Sequence, residues 1–374
     1  MLLVNNPGSW SAIYTPLRHA EWHGWRMPDL VFPFFLFIVG ITTAIALQGR
    51  RDRGATDSEL ALQIVRRGLI IIALGLFLSG FPFFTWGSVP GNPDPAFLER
   101  VVDRMGRWRF PGVLQRIGFC YMVAALIWLK TTTRAQVAVA TALLLGYWGA
   151  MTLIPVPGSG AIGRATLDDP SGSLAAWIDR QVFGSHLWVQ SKTWDPEGLL
   201  SSLPAIAIVF LGIFAGRLLR SEIPLGQKVT RLALWGAGGT AIGAAWGLVF
   251  PINKNIWTSS YSLFTAGLAA ICIAACLWVI DIRGWKRWTT PFVVYGVNPI
   301  LAFVGSGLMA RLIGSLIRVD YRGELVPVQT VVYRELFASW LPPEPASLAF
   351  AISFVLLWMA ILWPLWRRGI YLKV

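Results

Sequence analysis

The chain has 374 residues, of which 55% are hydrophobic and only 14% are charged, and 20 of them are tryptophan. Soluble domains carry about 25% charged residues, so this composition excludes a soluble enzyme and a disordered protein and indicates a lipid bilayer as the main solvent. The net charge is +13, but the sequence has no separate basic helix of the kind that binds nucleic acid. In a membrane protein, an excess of basic residues marks the cytoplasmic loops.

Nine apolar runs are long enough to cross a bilayer as helices, because about 20 residues span its hydrocarbon core and the backbone must satisfy its own polar groups there. These runs cover residues 30–48, 68–86, 111–129, 135–154, 199–219, 232–250, 258–280, 291–313 and 345–366. The predicted fold is therefore all-α, a polytopic transmembrane helical bundle that forms one domain over residues 1–374. The initial Met1-Leu2-Leu3-Val4 is typical of the last turn of an apolar helix, so we also expect a truncated first helix before the nine full spans.

The basic residues are unevenly distributed between the two sides of the predicted bundle. One side has residues 49–67, 130–134, 217–231, 281–288 and 367–374, which hold 17 of the 32 Lys and Arg. This side is predicted to be cytoplasmic, together with the C-terminus, because basic residues concentrate in cytoplasmic loops. The long loops 87–110, 155–198 and 314–344 are then external. An apolar stripe between residues 98 and 108 predicts a helix lying in the membrane interface, and a second short helix is predicted at 174–183.

The three histidines, His19, His23 and His186, all lie in predicted external segments. Histidine is the usual general base or nucleophile near neutral pH. Asp29 lies where the first complete span begins, so it either caps that helix or orients a histidine. We expect no metal, since His19 and His23 have no further clear ligand nearby and the three cysteines lie in apolar runs without metal-ligand spacing.

Polar residues at or inside the predicted membrane depth are further candidates, because such groups are costly there. These residues are Asn5, Gln115, Arg116 and Asn298. Arg109 and Arg116 lie at one external helix end, where they either bind an anion or pair with Asp29 or Glu197. Asp195, which precedes Pro196, is predicted as a helix N-cap, with a substrate carboxylate in this segment as the alternative.

One further tight external turn, at residues 251–255, contains Asn253 and Lys254. It offers one cation and two amides on the same side as His19. It is either a simple turn or part of a site.

Several of these residues lie in motifs that resemble the heparan-alpha-glucosaminide N-acetyltransferase catalytic-domain family. The motifs are Asn5, His19 through Gly24, Asp29 through Phe34, Pro111 through Arg116, Asp195 through Gly198, and Pro251 through Asn255. The resemblance covers nearly the whole chain and implies a membrane enzyme that takes acetyl from cytoplasmic acetyl-CoA and delivers it to the amine of a glucosamine on the other side. It places the active histidine at His19 and implies a homodimer. The animal enzymes have a further histidine where this sequence has Ser306.

These observations together predict an acetyl-CoA-dependent N-acetyltransferase of the bacterial inner membrane, with an amino sugar in the periplasm as the acceptor. His19, as general base or acetyl-carrying nucleophile, and Asp29 are the predicted catalytic residues. The predicted substrate-binding residues are Asn5, His23, Glu197, Asn253 and Lys254. The predicted residues for acetyl-CoA are Gln115, Arg116, Asn298, Lys286 and Arg287. Its phosphates are expected near cytoplasmic cations such as Arg66, Arg67, Lys286 and Arg287.

Two other classes share some of these features. A membrane transporter or binding protein for amino sugars or sugar-lipids would have the same bundle and tryptophans, and inverted repeats would favour it, but none is evident. A structural membrane scaffold would have little use for so many polar groups at the outer face.

Overall fold

The computed structural model describes residues 1–372, so the last two residues of the predicted tail 367–374 lie outside it. Within residues 1–372, nine long helices form the body of the molecule. They are α2 (Val31–Arg51), α3 (Asp57–Gly80), α5 (Val113–Lys130), α6 (Thr133–Leu153), α9 (Ser202–Arg220), α10 (Leu225–Trp246), α11 (Ser259–Leu277), α13 (Pro299–Arg311) and α15 (Pro343–Arg367). The shorter helices are α1 (Leu2–Asn5), α4 (Phe97–Gly106), α7 (Arg164–Asp168), α8 (Leu174–Phe183), α12 (Thr290–Gly296) and α14 (Val328–Leu336).

The transmembrane helical bundle is confirmed, but its predicted number of spans is not. Within residues 1–372, eight helices are long and apolar enough to cross a bilayer. The remaining predicted span, 232–250, corresponds to α10, which has 22 residues but a mean hydropathy too low for it to be counted as a membrane span.

Several predicted spans have different N-terminal boundaries in the structure, including 232–250, whose helix α10 begins at Leu225. The span predicted at 68–86 is α3, which begins at Asp57 because the Thr56 side chain accepts a hydrogen bond from the backbone of Glu59, while Glu59 accepts one from the backbone of Thr56. The span predicted at 199–219 is α9, which begins at Ser202. Asp195 is therefore not its N-cap and belongs to a turn before it.

The span predicted at 291–313 is interrupted. α12 ends at Gly296 and α13 begins at Pro299, and Asn298 between them has φ −131° and ψ 52°. The physical reason is Pro299, which has no backbone N–H and disfavours a helical conformation in the residue before it.

The loops predicted to be external contain both short helices predicted from the sequence. α4 matches the apolar stripe between residues 98 and 108, and α8 covers the predicted residues 174–183. Loop 314–344 departs from the all-α prediction, because it contains an antiparallel hairpin of β1 (Arg318–Tyr321) and β2 (Glu324–Pro327). Arg322 and Gly323 have positive φ, as a two-residue hairpin turn requires.

Glycines allow the long helices to approach closely. A Cβ on Gly40 of α2 would lie 2.1 Å from the Val209 carbonyl oxygen, and one on Gly212 of α9 would lie 2.1 Å from the Phe37 carbonyl oxygen. Gly40 and Gly212 therefore serve close helix packing, as small residues do in membranes. α2 packs mainly on α9, whereas α3 packs mainly on α5, and α2 and α3 meet through a hydrogen bond from Arg50 Nη1 to Gln63 Oε1 at 2.6 Å.

Candidate active site

The predicted catalytic residues His19 and Asp29 are in direct contact. Asp29 lies in the short 3-10 turn Met27–Leu30 that leads into α2, and it is 1% exposed. Its Oδ2 accepts hydrogen bonds from the backbone N–H groups of Ala20 at 3.0 Å and Arg26 at 2.8 Å. Its Oδ1 lies 2.6 Å from His19 Nδ1. Asp29 thus fulfils both roles considered for it, since it caps the turn and orients the histidine.

The contact with Asp29 fixes which nitrogen of His19 is available for chemistry. An ionised carboxylate can only accept hydrogen bonds, so the proton of the neutral imidazole is on Nδ1. Nε2 then has a free lone pair. The His19 side chain is 45% exposed, so the ring is accessible while its partner is buried. This is the arrangement that makes a histidine a directed base or nucleophile.

Lys254 adds a cation to this pair. Its Nζ lies 3.7 Å from Asp29 Oδ1 and 3.4 Å from His19 Nδ1. Since Nδ1 carries a proton, it cannot accept a hydrogen bond from Lys254. The ammonium group of Lys254 therefore acts on the His19 ring only through its charge. The turn of Lys254 reaches the site because the Gly24 N–H donates to the Ile252 carbonyl at 2.7 Å. The structure therefore brings the predicted external turn to His19.

His23 is held differently from His19. Its Nε2 lies 2.8 Å from Asp168 Oδ1, and its Nδ1 lies 3.2 Å from the side-chain nitrogen of Asn253. Both ring nitrogens are therefore engaged. Asn253 is fully buried and also accepts from the Ile256 backbone at 3.1 Å. Asp168 was not identified from the sequence, because an acid in a Gly/Pro-rich loop has no recognisable pattern.

A second polar cluster surrounds Arg109. Its Nε donates to Asp195 Oδ2 at 2.8 Å, and its Nη2 lies 2.5 Å from both Asp195 Oδ1 and Glu197 Oε2. Both carboxylates are buried. Burial alone would raise the pKa of Glu197, but the charges of Arg109, Arg116 and Lys254 outweigh it and lower the pKa below its ordinary value. Lys254 thus links this cluster electrostatically to His19.

Arg116 supports the turn that carries Glu197. Its Nη2 donates to the Gly198 carbonyl at 2.8 Å and to the Ser201 hydroxyl, and its guanidinium lies 5.1 Å from the centre of the Trp257 ring. Its Nε and Nη1 are buried and have no hydrogen-bond partner among residues 1–372. Such an arginine is expensive to bury, which marks it as a functional candidate.

Asn5 and Gln115 lie in a polar cavity of about 330 Å³. The cavity is also lined by Arg109, Ser306 and Arg311, and the buried side-chain nitrogen of Gln115 has no partner within residues 1–372. A second cavity, of about 230 Å³, shares four lining residues with the first and continues along α3 to Arg67. The lining of these cavities does not include His19. Arg109, at the outer end, connects the first cavity with Glu197.

The other residues predicted to bind acetyl-CoA line neither cavity: Arg116 supports the Gly198 turn, and three more lie farther away. Asn298 is buried, donates to the Ile370 carbonyl at 3.0 Å and accepts from the Leu372 backbone at 2.8 Å, so it fastens the C-terminal segment. Lys286 and Arg287 are exposed beside a short 3-10 turn and line neither cavity.

The chain was also compared with known proteins. No protein-family model matches it. It is 30% identical over 353 residues to the heparan-alpha-glucosaminide N-acetyltransferase of Mus musculus, which covers 82% of this chain and 51% of the mouse protein. The chain is related to these acetyltransferases. The Homo sapiens protein of the same name is 29% identical, over 82% of this chain and 50% of the human protein.

The resemblance to heparan-alpha-glucosaminide N-acetyltransferases seen in the motifs is thus confirmed. The chain spans about half the length of these curated relatives.

Asp179 is a site residue that sequence reasoning missed. It is 2% exposed, and its two carboxylate oxygens accept from the backbone of Leu199 at 2.9 Å and of Asp195 at 3.3 Å. It therefore shapes the turn that presents Asp195 and Glu197. The only signal in the sequence is an acid inside a short amphipathic helix, which normally indicates a solvated face.

The stability of the protein should depend on pH through Asp179. Burial raises the pKa of Asp179 from 3.8 to about 6, so the folded state binds this proton more tightly than the unfolded state. The stabilisation by this proton is complete below pH 3.8 and is lost as the pH rises to about 6. We expect the Tm of the Asp179→Asn variant, relative to that of the parent, to rise between pH 4 and pH 7. Thermal unfolding in detergent measures this difference, and a constant or falling difference would contradict the assignment.

Proposed function

We propose that this chain is an integral membrane N-acetyltransferase that moves acetyl from acetyl-CoA to the amine of a glucosamine-type sugar. The observation that carries the proposal is the buried Asp29 holding Nδ1 of the accessible His19. The relatives named as N-acetyltransferases support the reaction type. The basic cytoplasmic loops support a bacterial inner-membrane protein with a cytoplasmic C-terminus, and the family resemblance supports a homodimer.

Two catalytic roles are open to His19 in the reaction, that of a general base and that of a nucleophile. As a general base, its Nε2 takes a proton from the amine while the nitrogen attacks the thioester carbonyl; the C–N bond forms, the C–S bond breaks, and the imidazolium returns the proton to the CoA thiolate. As a nucleophile, Nε2 first takes the acetyl group and releases CoA, and the amine then attacks the acetyl-imidazole. In both routes the Asp29 carboxylate stabilises the ring when it becomes positively charged.

The remaining polar groups suit the acceptor. A protonated amine is attracted by carboxylates, and Glu197 is kept ionised beside Arg109. Lys254, next to His19, is placed to stabilise negative charge on the carbonyl oxygen as the amine attacks. Asn253 and His23 hold each other and define one wall of the site. The acceptor is proposed to approach from the periplasmic side, where these loops are predicted to lie.

The donor is proposed to use the two connected cavities. The pantetheine arm of acetyl-CoA is long and thin and alternates apolar and amide groups. The cavity along α3 is mainly apolar, and the one at Gln115 and Asn5 is polar, with an unpartnered amide N–H that can donate to a carbonyl. This would bring the acetyl group to Arg109, next to the Glu197 and Lys254 side of the site.

One assay tests the proposal. The purified protein is given acetyl-CoA labelled in the acetyl group together with glucosamine, and N-acetylglucosamine is measured. A parallel reaction without sugar is quenched rapidly, and labelled protein is sought. Sugar acetylation by the intact protein is the expected result, and its absence with every amino sugar tried would overturn the proposal. Labelled protein would select the acetyl-histidine route, and unlabelled protein would select direct transfer.

A further inference from the structure

A groove separates α2 and α3 near the connection 52–56. The two helices follow one another in the chain, but α2 packs mainly on α9 and α3 mainly on α5, and their ends are bridged by a hydrogen bond of 2.6 Å from Arg50 Nη1 to Gln63 Oε1. The groove forms a cavity of about 630 Å³ that is lined by Arg50, Arg53, Glu59 and Gln63, among others. This end of the bundle carries the predicted cytoplasmic loop with five arginines between residues 50 and 67.

The groove and the cavities proposed for acetyl-CoA lie along the same face of α3. On α3, Gln63, Arg67 and Ile71 are spaced four residues apart and therefore share one face. Gln63 lines the groove, whereas Arg67 and Ile71 line the 230 Å³ cavity. From Gln63 to Gly75, which contacts Gln115, the rise of α3 is about 18 Å. That length suits an extended acyl-pantetheine arm.

Two arginines of this groove, Arg50 and Arg53, and Arg67 of the 230 Å³ cavity have no acidic partner. The nearby acids are engaged elsewhere: Asp57 pairs with Arg51 at 2.6 Å, and Asp52 pairs with Arg220 at 2.6 Å. Glu59, at the groove itself, accepts from the Thr56 backbone at 2.8 Å. Among residues 1–372, no carboxylate lies within 4.0 Å of the side-chain nitrogens of these three arginines, and Arg50 donates to the neutral Gln63.

Arg67 gives a second indication of a ligand. Its guanidinium lies over the Tyr121 ring at 5.2 Å, and its Nε is buried without a hydrogen-bond partner among the described residues. A buried N–H that no protein atom satisfies is costly unless something else accepts from it. Phosphate oxygens are strong acceptors for arginine.

We propose that this groove binds the 3′-phosphorylated ADP portion of acetyl-CoA, with Arg50 and Arg53 on the phosphates and Arg67 where the pantetheine arm enters the bundle. The inference rests on the proposed function, and it moves the phosphate site away from Lys286 and Arg287. A phosphate monoester carries about −1.5 to −2 charges at neutral pH, which matches a cluster of unneutralised arginines. Adenine would lie toward the open end of the groove.

The test compares a double variant, Arg50→Gln with Arg53→Gln, with the matched control Arg66→Gln, which changes an exposed arginine outside the lining. CoA binding is measured by calorimetry, and KM is measured for acetyl-CoA, for its 3′-dephospho form and for S-acetyl-N-acetylcysteamine, which lacks the nucleotide. We expect the double variant to weaken CoA binding at least tenfold and to raise KM for acetyl-CoA at least tenfold. Its rate with the short thioester should not change, and the 3′-phosphate should matter less to it than to the parent.

Two outcomes would overturn the site. One is unchanged CoA binding in the double variant, and the other is a loss that appears instead in Lys286→Gln with Arg287→Gln. Failure of the proposed function can be distinguished from failure of the site, because CoA binding is measured without catalysis. If the protein binds CoA through Arg50 and Arg53 but acetylates no sugar, the proposed binding site stands and the proposed acetyltransferase activity is refuted. An effect of the double variant on the short thioester as large as that on acetyl-CoA would show general damage and reject the assignment.

Discussion

Replacing His19 by glutamine is expected to lower kcat for sugar acetylation by about 10²–10⁴, the usual contribution of a positioned acid–base group. Glutamine keeps a polar side chain of similar reach but has neither a basic nor a nucleophilic nitrogen. Because His19 is 45% exposed, the fold should be unaffected, and CoA binding should be retained. Steady-state rates with acetyl-CoA and glucosamine measure the loss.

Asp29→Asn is the companion change. The amide cannot accept from Ala20, Arg26 and His19 at once in the way the carboxylate does, so the ring loses its fixed tautomer. A loss of kcat similar to that of His19→Gln is expected, and a double variant should be little worse than either single one, since the two residues act as a unit.

His23→Gln provides the contrast. Both of its ring nitrogens are engaged by Asp168 and Asn253, so it is a predicted binding residue and not a base. We expect KM for the sugar to rise while kcat changes little. A kcat loss in His23→Gln equal to that in His19→Gln, or full activity in His19→Gln, would refute the assignment of the catalytic histidine.

Replacing Arg109 by methionine is expected to destabilise the protein by about 3–5 kcal/mol, because it leaves buried carboxylates without their cation. The carboxylates of Asp195 and Glu197 are both buried, and both form an ion pair with Arg109. Thermal unfolding in detergent should show a decrease of roughly 10 °C in Tm.

The matched control is Arg107→Met, which removes an arginine that pairs with Asp103 on the helix surface. An exposed pair of this kind contributes about 0–1 kcal/mol. Adding Asp195→Asn and Glu197→Gln to Arg109→Met removes the unpaired charges and should restore much of the lost stability, but not the activity. If Arg109→Met unfolds at the same temperature as Arg107→Met, the buried cluster does not stabilise the fold.

The candidate site could be predicted residue by residue but not as a geometry. His19 and Asp29 are ten positions apart and precede an apolar span, so local order suggested their pairing. Arg109 was expected to pair with Asp29 or to bind an anion or Glu197; the structure selects Glu197 and adds Asp195. Asp179 and Asp168 gave no signal, since single acids in loops and short helices are ordinarily solvated.

The residues predicted to bind acetyl-CoA show more clearly that the sequence predicts single residues but not their spatial arrangement. Gln115 and Arg116 are neighbours in sequence, but successive residues of a helix face different directions, and the structure places one in a cavity and the other against the Gly198 turn. Asn298 was predicted from its depth in a span, yet Pro299 breaks that span and the amide fastens the C-terminal segment instead.

The sequence by itself determined the membrane environment and the helical class, and it is the source of the proposal that His19 is the reactive histidine. These depend on composition, on apolar run length and on short motifs, all of which act over a few helical turns. Only the tertiary structure decided which partners meet. Lys254 reaches His19 across 235 positions, and Arg109 reaches Glu197 across 88. Such contacts depend on helix packing, in which glycines such as Gly40 and Gly212 set how closely the backbones approach. A local sequence pattern does not show which helices will pack together.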